Sequence, residues 1–134
     1  MIALLDTSIL IAVAAPTEDS PTLAGFDRSF ASSLSWAELT KGLHTTASLV
    51  AFKARRARFD DLQRSFGEGV PFDDDCVAAY DVVLRRVTER RGSGRAHNID
   101  RMIAATAMVH DMTVLTRDLS GFAGLEGLVR VELR

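Results

Sequence analysis

At 134 residues, 47% of them hydrophobic, the chain can bury roughly 65 to 70% of its unfolded surface, which fits one globular domain over residues 1–134 and leaves no need for a second. A single cysteine, Cys76, excludes an internal disulfide framework and a cysteine-rich zinc site, and suits a reducing compartment. The net charge of −2 excludes a uniformly basic nucleic-acid binder, yet only two of the 16 basic residues are Lys and the other 14 are Arg, whose planar fork suits phosphate.

Ile2 to Leu5 predicts a short buried strand, and Thr7 to Ala15 a helix that Pro16 stops. The apolar run from Leu4 to Ala15 does not read as a signal peptide. No basic residue precedes it, Asp6 interrupts it, and it falls far short of the roughly 20 residues of a membrane span, so the expected location is cytoplasmic. A polar loop from Thr17 to Pro21 leads to a strand around Phe30 to Leu34 and a helix from Trp36 to Thr45. The next helix, Ala47 to Phe66, lines up Phe52, Phe59, Leu62 and Phe66 and is ended by Gly67 and Gly69. Val70 to Phe72 predicts a short strand. Asp73 to Asp75 then opens a helix to Arg91, along which Cys76, Tyr80, Val83, Leu84 and Val87 follow the 3.6-residue period. After the RGSGR loop, Asn98 is the expected cap of a helix from Ile99 to His110. Thr113 to Thr116 and Val129 to Leu133 complete the strands, separated by a glycine-rich loop from Ser120 to Gly127. Strands alternating with helices imply an α/β fold with a parallel sheet covered on both faces, and a functional site at the carboxyl ends of its strands.

Four carboxylates fall where a predicted strand hands over to a helix or loop: Asp6 in LLDTSIL, Glu38 in SWAEL, Asp100 in NIDRMIAATA and Asp118 in TVLTRD. Each has an ordinary local explanation. Asp6 can cap a helix, and Glu38 can close an S-x-x-E capping box begun by Ser35. Asp100 suits the positive end of a helix dipole, and Asp118 suits an Asx turn. What these explanations leave over is the coincidence of all four on one sheet edge. Like charges gathered there raise one another's pKa or require a cation. Mg2+ or Mn2+ takes oxygen ligands and keeps several waters, so carboxylates alone suffice. His44, His97 and His110 are not placed as a metal set, which makes zinc a poor fit. Trp36 and Cys76 read as core residues, and the Asp73 to Asp75 run as charge at a helix N-terminus.

The segments LLDTSIL, SLSWAELTKGL and NIDRMIAATAMVHDMTVLTRD, with the GF that comes after them, resemble the PIN domain, and in particular the short VapC-type toxins of bacterial toxin–antitoxin pairs. The resemblance spans nearly the whole chain and keeps the order of the acidic residues. It implies a three-layer α/β/α sandwich around a roughly five-stranded parallel sheet. It also implies an acidic pocket in which Asp6 and Asp100 bind Mg2+ or Mn2+ directly, Glu38 and Asp118 support them, and Thr116 orients a carboxylate or a water. A homodimer and a VapB-like antitoxin that folds around the toxin and blocks the pocket are further implications. Many relatives carry Asn at the position of Asp118 and Asp shortly before the Phe. Here Asp118 is acidic and Gly121 precedes Phe122, so the fourth acidic role is expected at Asp118.

The expected activity is endonucleolytic cleavage of RNA by metal-assisted attack of water on a phosphodiester, leaving a 5'-phosphate and a 3'-hydroxyl. The resemblance alone supplies the choice of RNA and of structured targets such as tRNA or rRNA. Arg95, Arg117 and the Arg85 to Arg91 face are candidates for gripping the substrate backbone. Two other classes compete. A phosphorylation receiver also uses acids and Mg2+ on a doubly wound sheet, but it needs a late Lys and none occurs beyond Lys53. A noncatalytic RNA- or protein-binding module on the same fold is opposed by the full acidic set.

Overall fold

A computed structural model describes residues 1–134. Strand β1 (Ile2–Leu5) is followed by α1 (Thr7–Ala14), β2 (Arg28–Ala31), α2 (Ser33–His44), α3 (Leu49–Phe66), α4 (Asp74–Glu89), α5 (Asn98–Val109), β3 (Thr113–Thr116), a 3-10 helix (Leu119–Phe122) and β4 (Arg130–Leu133). The four strands form one parallel sheet in the order β2-β1-β3-β4.

The sheet sits between two apolar layers because successive strand residues face opposite sides. Ala3 and Leu5 of β1 and Leu115 of β3 meet Ile9, Leu10, Trp36, Leu43, Phe59 and Leu62 from α1, α2 and α3. Leu4 and Val114 point the other way, into Val83, Val87, Ile103, Ala104, Ala107, Phe122 and Leu125 from α4, α5 and the segment after β3. Trp36 packs edge-on to Phe59, with ring centroids 5.6 Å apart, and Cys76 is buried. Both are core residues, as the sequence suggests.

The expected fifth strand, Val70 to Phe72, is reduced to a single bridge between Ser32 and Val70. Val70 donates to Ala31 O at 2.8 Å and its carbonyl accepts from Ser33 N at 3.0 Å. The partner segment turns into α2 at Ser33, directly after the bridged Ser32, so the ladder stops after one residue. Two helix starts also differ from expectation. Ser32, whose hydroxyl accepts from Leu34 N, caps α2, so Glu38 lies within the helix and closes no capping box with Ser35. His97, in the left-handed region at φ 52° and ψ 39°, stands at the N-cap of α5 in place of Asn98. Elsewhere the caps obey the residue chemistry: Ser48 accepts from Ala51 N, Asp73 accepts from Cys76 N, and Gly67 stops α3 at φ 69°.

This topology places the site. The chain leaves β1 for β2 on one side and returns through β3 on the other, so the order reverses around β1. In open parallel sheets the crevice beyond the carboxyl ends of such strands is where ligands bind. Asp6 comes directly after β1 and its N–H donates to Leu115 O of β3 at 2.9 Å, which ties the two strand ends together. Because α5 leads back to the start of β3, its N-terminus and Asp100 lie at the same edge.

Candidate active site

Asp6 is the centre of this edge. It is 5% exposed and caps α1, its Oδ1 accepting from Thr7 N at 2.8 Å. Its Oδ2 accepts from Ser8 Oγ and from Thr116 Oγ1, both at 2.8 Å. A carboxylate oxygen has about two acceptor positions, so Oδ2 is saturated while Oδ1 keeps one direction open. The cap and the functional reading are therefore compatible: capping orients the group without consuming it. Thr116 also accepts from Asp118 N at 3.1 Å, and Ser8 accepts from Arg117 N at 3.1 Å, so the two hydroxyls aimed at Asp6 are themselves fixed by the backbone after β3.

Glu38 comes to the same place from α2. Its Oε1 accepts from Thr7 Oγ1 at 2.6 Å, and that hydroxyl also lies 3.1 Å from the buried Ser35 Oγ. Asp100, in the first turn of α5, completes the group. Its carboxyl is pushed up to about 6, first by burial and then by the negative charges of Asp6 and Glu38; His97 opposes the rise. His97 Nδ1 lies 3.6 Å from Asp100 Oδ2. Asp6 and Glu38 thus lie near enough to Asp100 to oppose its ionisation, although the three chain positions span most of the protein.

The Asp118 side chain is engaged locally. Its side chain is exposed and its Oδ1 accepts from Ser120 N at 2.9 Å, capping the 3-10 helix; that bond holds its carboxyl below the usual range. His97, which lies beside Asp100, also acts on Asp118 electrostatically. The Asp118 backbone N–H reaches the site by fixing Thr116. Arg95 and Arg117 are exposed, and Arg117 donates to Asp19 O at 3.2 Å. Arg101 is 7% exposed and its guanidinium donates to Ser93 O, tying the RGSGR loop to α5. Together with the bond from Arg101 N to His97 O at 3.0 Å, this holds the left-handed turn from which α5 starts. Sequence reasoning does not mark Thr7, Ser8 or His97 as site residues; the DTS tripeptide directly after a strand is the available signal for the first two.

No group of three or more Asp, Glu, His or Cys side chains is arranged to hold a metal ion. That is compatible with Mg2+ or Mn2+, which retains several waters and takes only one or two carboxylates. The donor set fits a hard dication in kind as well: oxygen ligands only, mutual repulsion around Asp100, and an open direction on Asp6 Oδ1. Asp6 and Asp100 would hold it, with Glu38 beside them.

The hydroxyl support has a measurable consequence. Thr116→Val keeps the side-chain shape but strips one bond from Asp6 and leaves Asp118 N without its acceptor. Unfolding in urea should show a loss of about 1–3 kcal/mol. Activity or metal affinity should fall about 10–100-fold, the usual effect of removing the group that orients a ligand.

A PIN domain family model matches residues 3–126, and the chain belongs to that family. The VapC ribonuclease of Sinorhizobium fredii is 33% identical over 135 residues, covering 91% of this chain and 92% of that protein, which places the chain among VapC-type members. Among solved structures, VapBC-5 of Mycobacterium tuberculosis, a member of the VapBC family of toxin–antitoxin systems, matches with a TM-score of 0.77 at 27% identity over 98% of this chain and 96% of that one. FitAcB of Neisseria gonorrhoeae matches with a TM-score of 0.75 at 28% identity over 98% and 96%. VapBC2 of Rickettsia felis, at 19% identity and a TM-score of 0.80 over 100% and 99%, shares the fold.

Proposed function

We propose that this chain is a divalent-metal-dependent endoribonuclease and the toxin of a toxin–antitoxin pair. The observation that carries the proposal is the convergence at the strand-order reversal of Asp6 and Glu38, joined through Thr7, with Asp100, whose carboxyl is pushed up by burial and then by their charges, a load that a bound cation would relieve. The name of the Sinorhizobium fredii relative supports ribonuclease chemistry, and the VapBC structures support an antitoxin partner.

An Mg2+ or Mn2+ ion held by Asp6 and Asp100 would supply Lewis acidity toward water and a phosphoryl oxygen. The chain's own groups do the rest. Thr116, Ser8 and Thr7 N–H keep Asp6 in one orientation, and Thr7 Oγ1 fixes one oxygen of Glu38 while the other stays available for a proton on the attacking water. Arg95 and Arg117 are the proposed grips on the RNA backbone, with structured RNA such as tRNA or rRNA as substrate. The products are a 5'-phosphate and a 3'-hydroxyl. This route uses no 2'-hydroxyl, so selection of RNA over DNA falls to binding.

The partner reading has structural support of its own. A groove of about 520 Å³ includes Glu38 and Thr7 in its lining, together with Leu39, Leu43, Phe59 and Leu62 and the cations Arg55 and Arg58. An antitoxin segment seated there would reach the pocket. A homodimer acting in the cytoplasm completes the proposal; no helix is long and apolar enough to cross a membrane.

Incubation of end-labelled structured RNA with the protein tests the activity. Cleavage with Mn2+, 5'-phosphate ends, and loss of cutting in chelator are expected. Binding without cleavage would favour the noncatalytic module, and undiminished cleavage in chelator would overturn the metal dependence.

A further inference from the structure

We propose that Gly121 is a positioning residue for Asp100, and that the absence of a β-carbon at this position is what lets the Asp100 carboxylate stand where it does. The inference rests on the proposed metal site for its consequence, but on packing alone for the contact.

Gly121 is buried in the 3-10 helix Leu119–Phe122, which packs against α5. A β-carbon built on it would lie 2.0 Å from Asp100 Oδ2, 2.6 Å from Cγ and 2.7 Å from Cβ. Non-bonded heavy atoms rest at about 3.5–4.0 Å, so the Asp100 side chain fills the volume that any other residue at 121 would need. Backbone freedom is not the reason for glycine here, because Gly121 is not among the glycines with positive φ.

The turn cannot retreat from Asp100 at small cost. Phe122 and Leu125, on the same segment, are anchored in the core against Ile103, Ala104 and Ala107, and Asp118 locks the start of the turn through Ser120 N. The freer element is the Asp100 side chain. Its Oδ2 is confined between Gly121 and His97 Nδ1, 3.6 Å away. A side chain at 121 therefore drives the carboxylate out of this slot and away from its present relation to Asp6 and Glu38, and because Cβ at 2.7 Å does not move with side-chain rotation, it also forces α5 and the turn apart.

The test is a four-protein cycle: the wild type, Gly121→Ala, Asp100→Gly and the double variant, each measured for thermal midpoint and, by calorimetry, for Mn2+ affinity. Gly121→Ala in the wild-type background should weaken Mn2+ binding tenfold or more. It should also lower the midpoint, whereas in the Asp100→Gly background, where all three clashing atoms are gone, the same substitution should have little effect. If Gly121→Ala alone fails to fold, recovery of folding in the double variant supports the contact and continued failure contradicts it. Mn2+ affinity within threefold of wild type in Gly121→Ala, or an equal midpoint loss in both backgrounds, would overturn the proposal. A wild type that binds no Mn2+ would instead sink the metal reading, while the midpoint cycle would still decide the Gly121–Asp100 contact.

Discussion

Asp6→Asn should abolish most RNA cleavage, about 10³-fold or more, while leaving the protein folded. The two halves of this expectation have separate causes. Asn caps helices as well as Asp does, so α1 should persist, and the hydroxyls of Ser8 and Thr116 can reorient toward an amide. The lost charge, by contrast, cannot be replaced. Removal of one preorganised electrostatic group commonly costs about 10²–10³ in rate, and here the same change also removes a proposed metal ligand. Circular dichroism and urea unfolding should overlay those of wild type within about 1 kcal/mol. Initial rates on labelled RNA with Mn2+ check the activity; a rate within tenfold of wild type would remove Asp6 from the mechanism.

Asp100→Asn should lose activity and gain stability. In the folded, metal-free protein its carboxyl is raised to about 6, mainly by burial and then by Asp6 and Glu38. A raised acid binds protons more readily folded than unfolded. Stability therefore falls as pH rises from about 4 through 6, and the penalty is fully present above that. Complete transfer of the shift to stability would amount to about 3 kcal/mol. About a third of the side chain is open to solvent, which screens the charges, so about 1 kcal/mol is the expected gain for Asn in chelator at pH 7. The acids with lowered values, Asp27, Asp73, Asp118 and Glu126, act in the opposite sense: their contribution is present at higher pH and lost as pH falls through their folded values. Urea unfolding of both proteins from pH 4.5 to 7.5 in chelator reads the effect. The gap should widen with pH in favour of the variant, and a variant less stable than wild type at pH 7 would show that Asp100 is not under repulsive load.

What the sequence made legible was set by local chemistry. Apolar strands closed by a carboxylate or a Thr mark β1, β3 and the order of the acids, because a residue such as Asp6 that ends a strand also caps the next helix. Capping signals in clusters are ambiguous. Ser32, Ser33 and Ser35 are all acceptable caps, and only the packing of α2 chooses Ser32, which frees Glu38 for the site. Val70 to Phe72 has strand composition, but the segment it would pair with turns into α2 at Ser33, so only one bridge forms. His97 takes the cap position of α5 with a left-handed backbone held by Arg101, whose side chain reaches back eight residues to Ser93, an arrangement that propensity does not encode. The fourth acid illustrates the limit most clearly. Asp118 stands after its strand as Asp6 does, yet its side chain closes a local turn, and the position that touches Asp100 is Gly121, a residue with no side chain to notice.

The proposed activity depends on Asp6 and Asp100, with Glu38 beside them, holding one divalent cation at the end of β1. Crystals soaked in Mn2+ and measured at the manganese absorption edge locate the ion by its anomalous signal. A peak is expected at bonding distance, about 2.1 Å, from oxygens of Asp6 and Asp100. A peak elsewhere, such as on the exposed Asp73 to Asp75 run, with none at the β1 edge, would contradict this assignment.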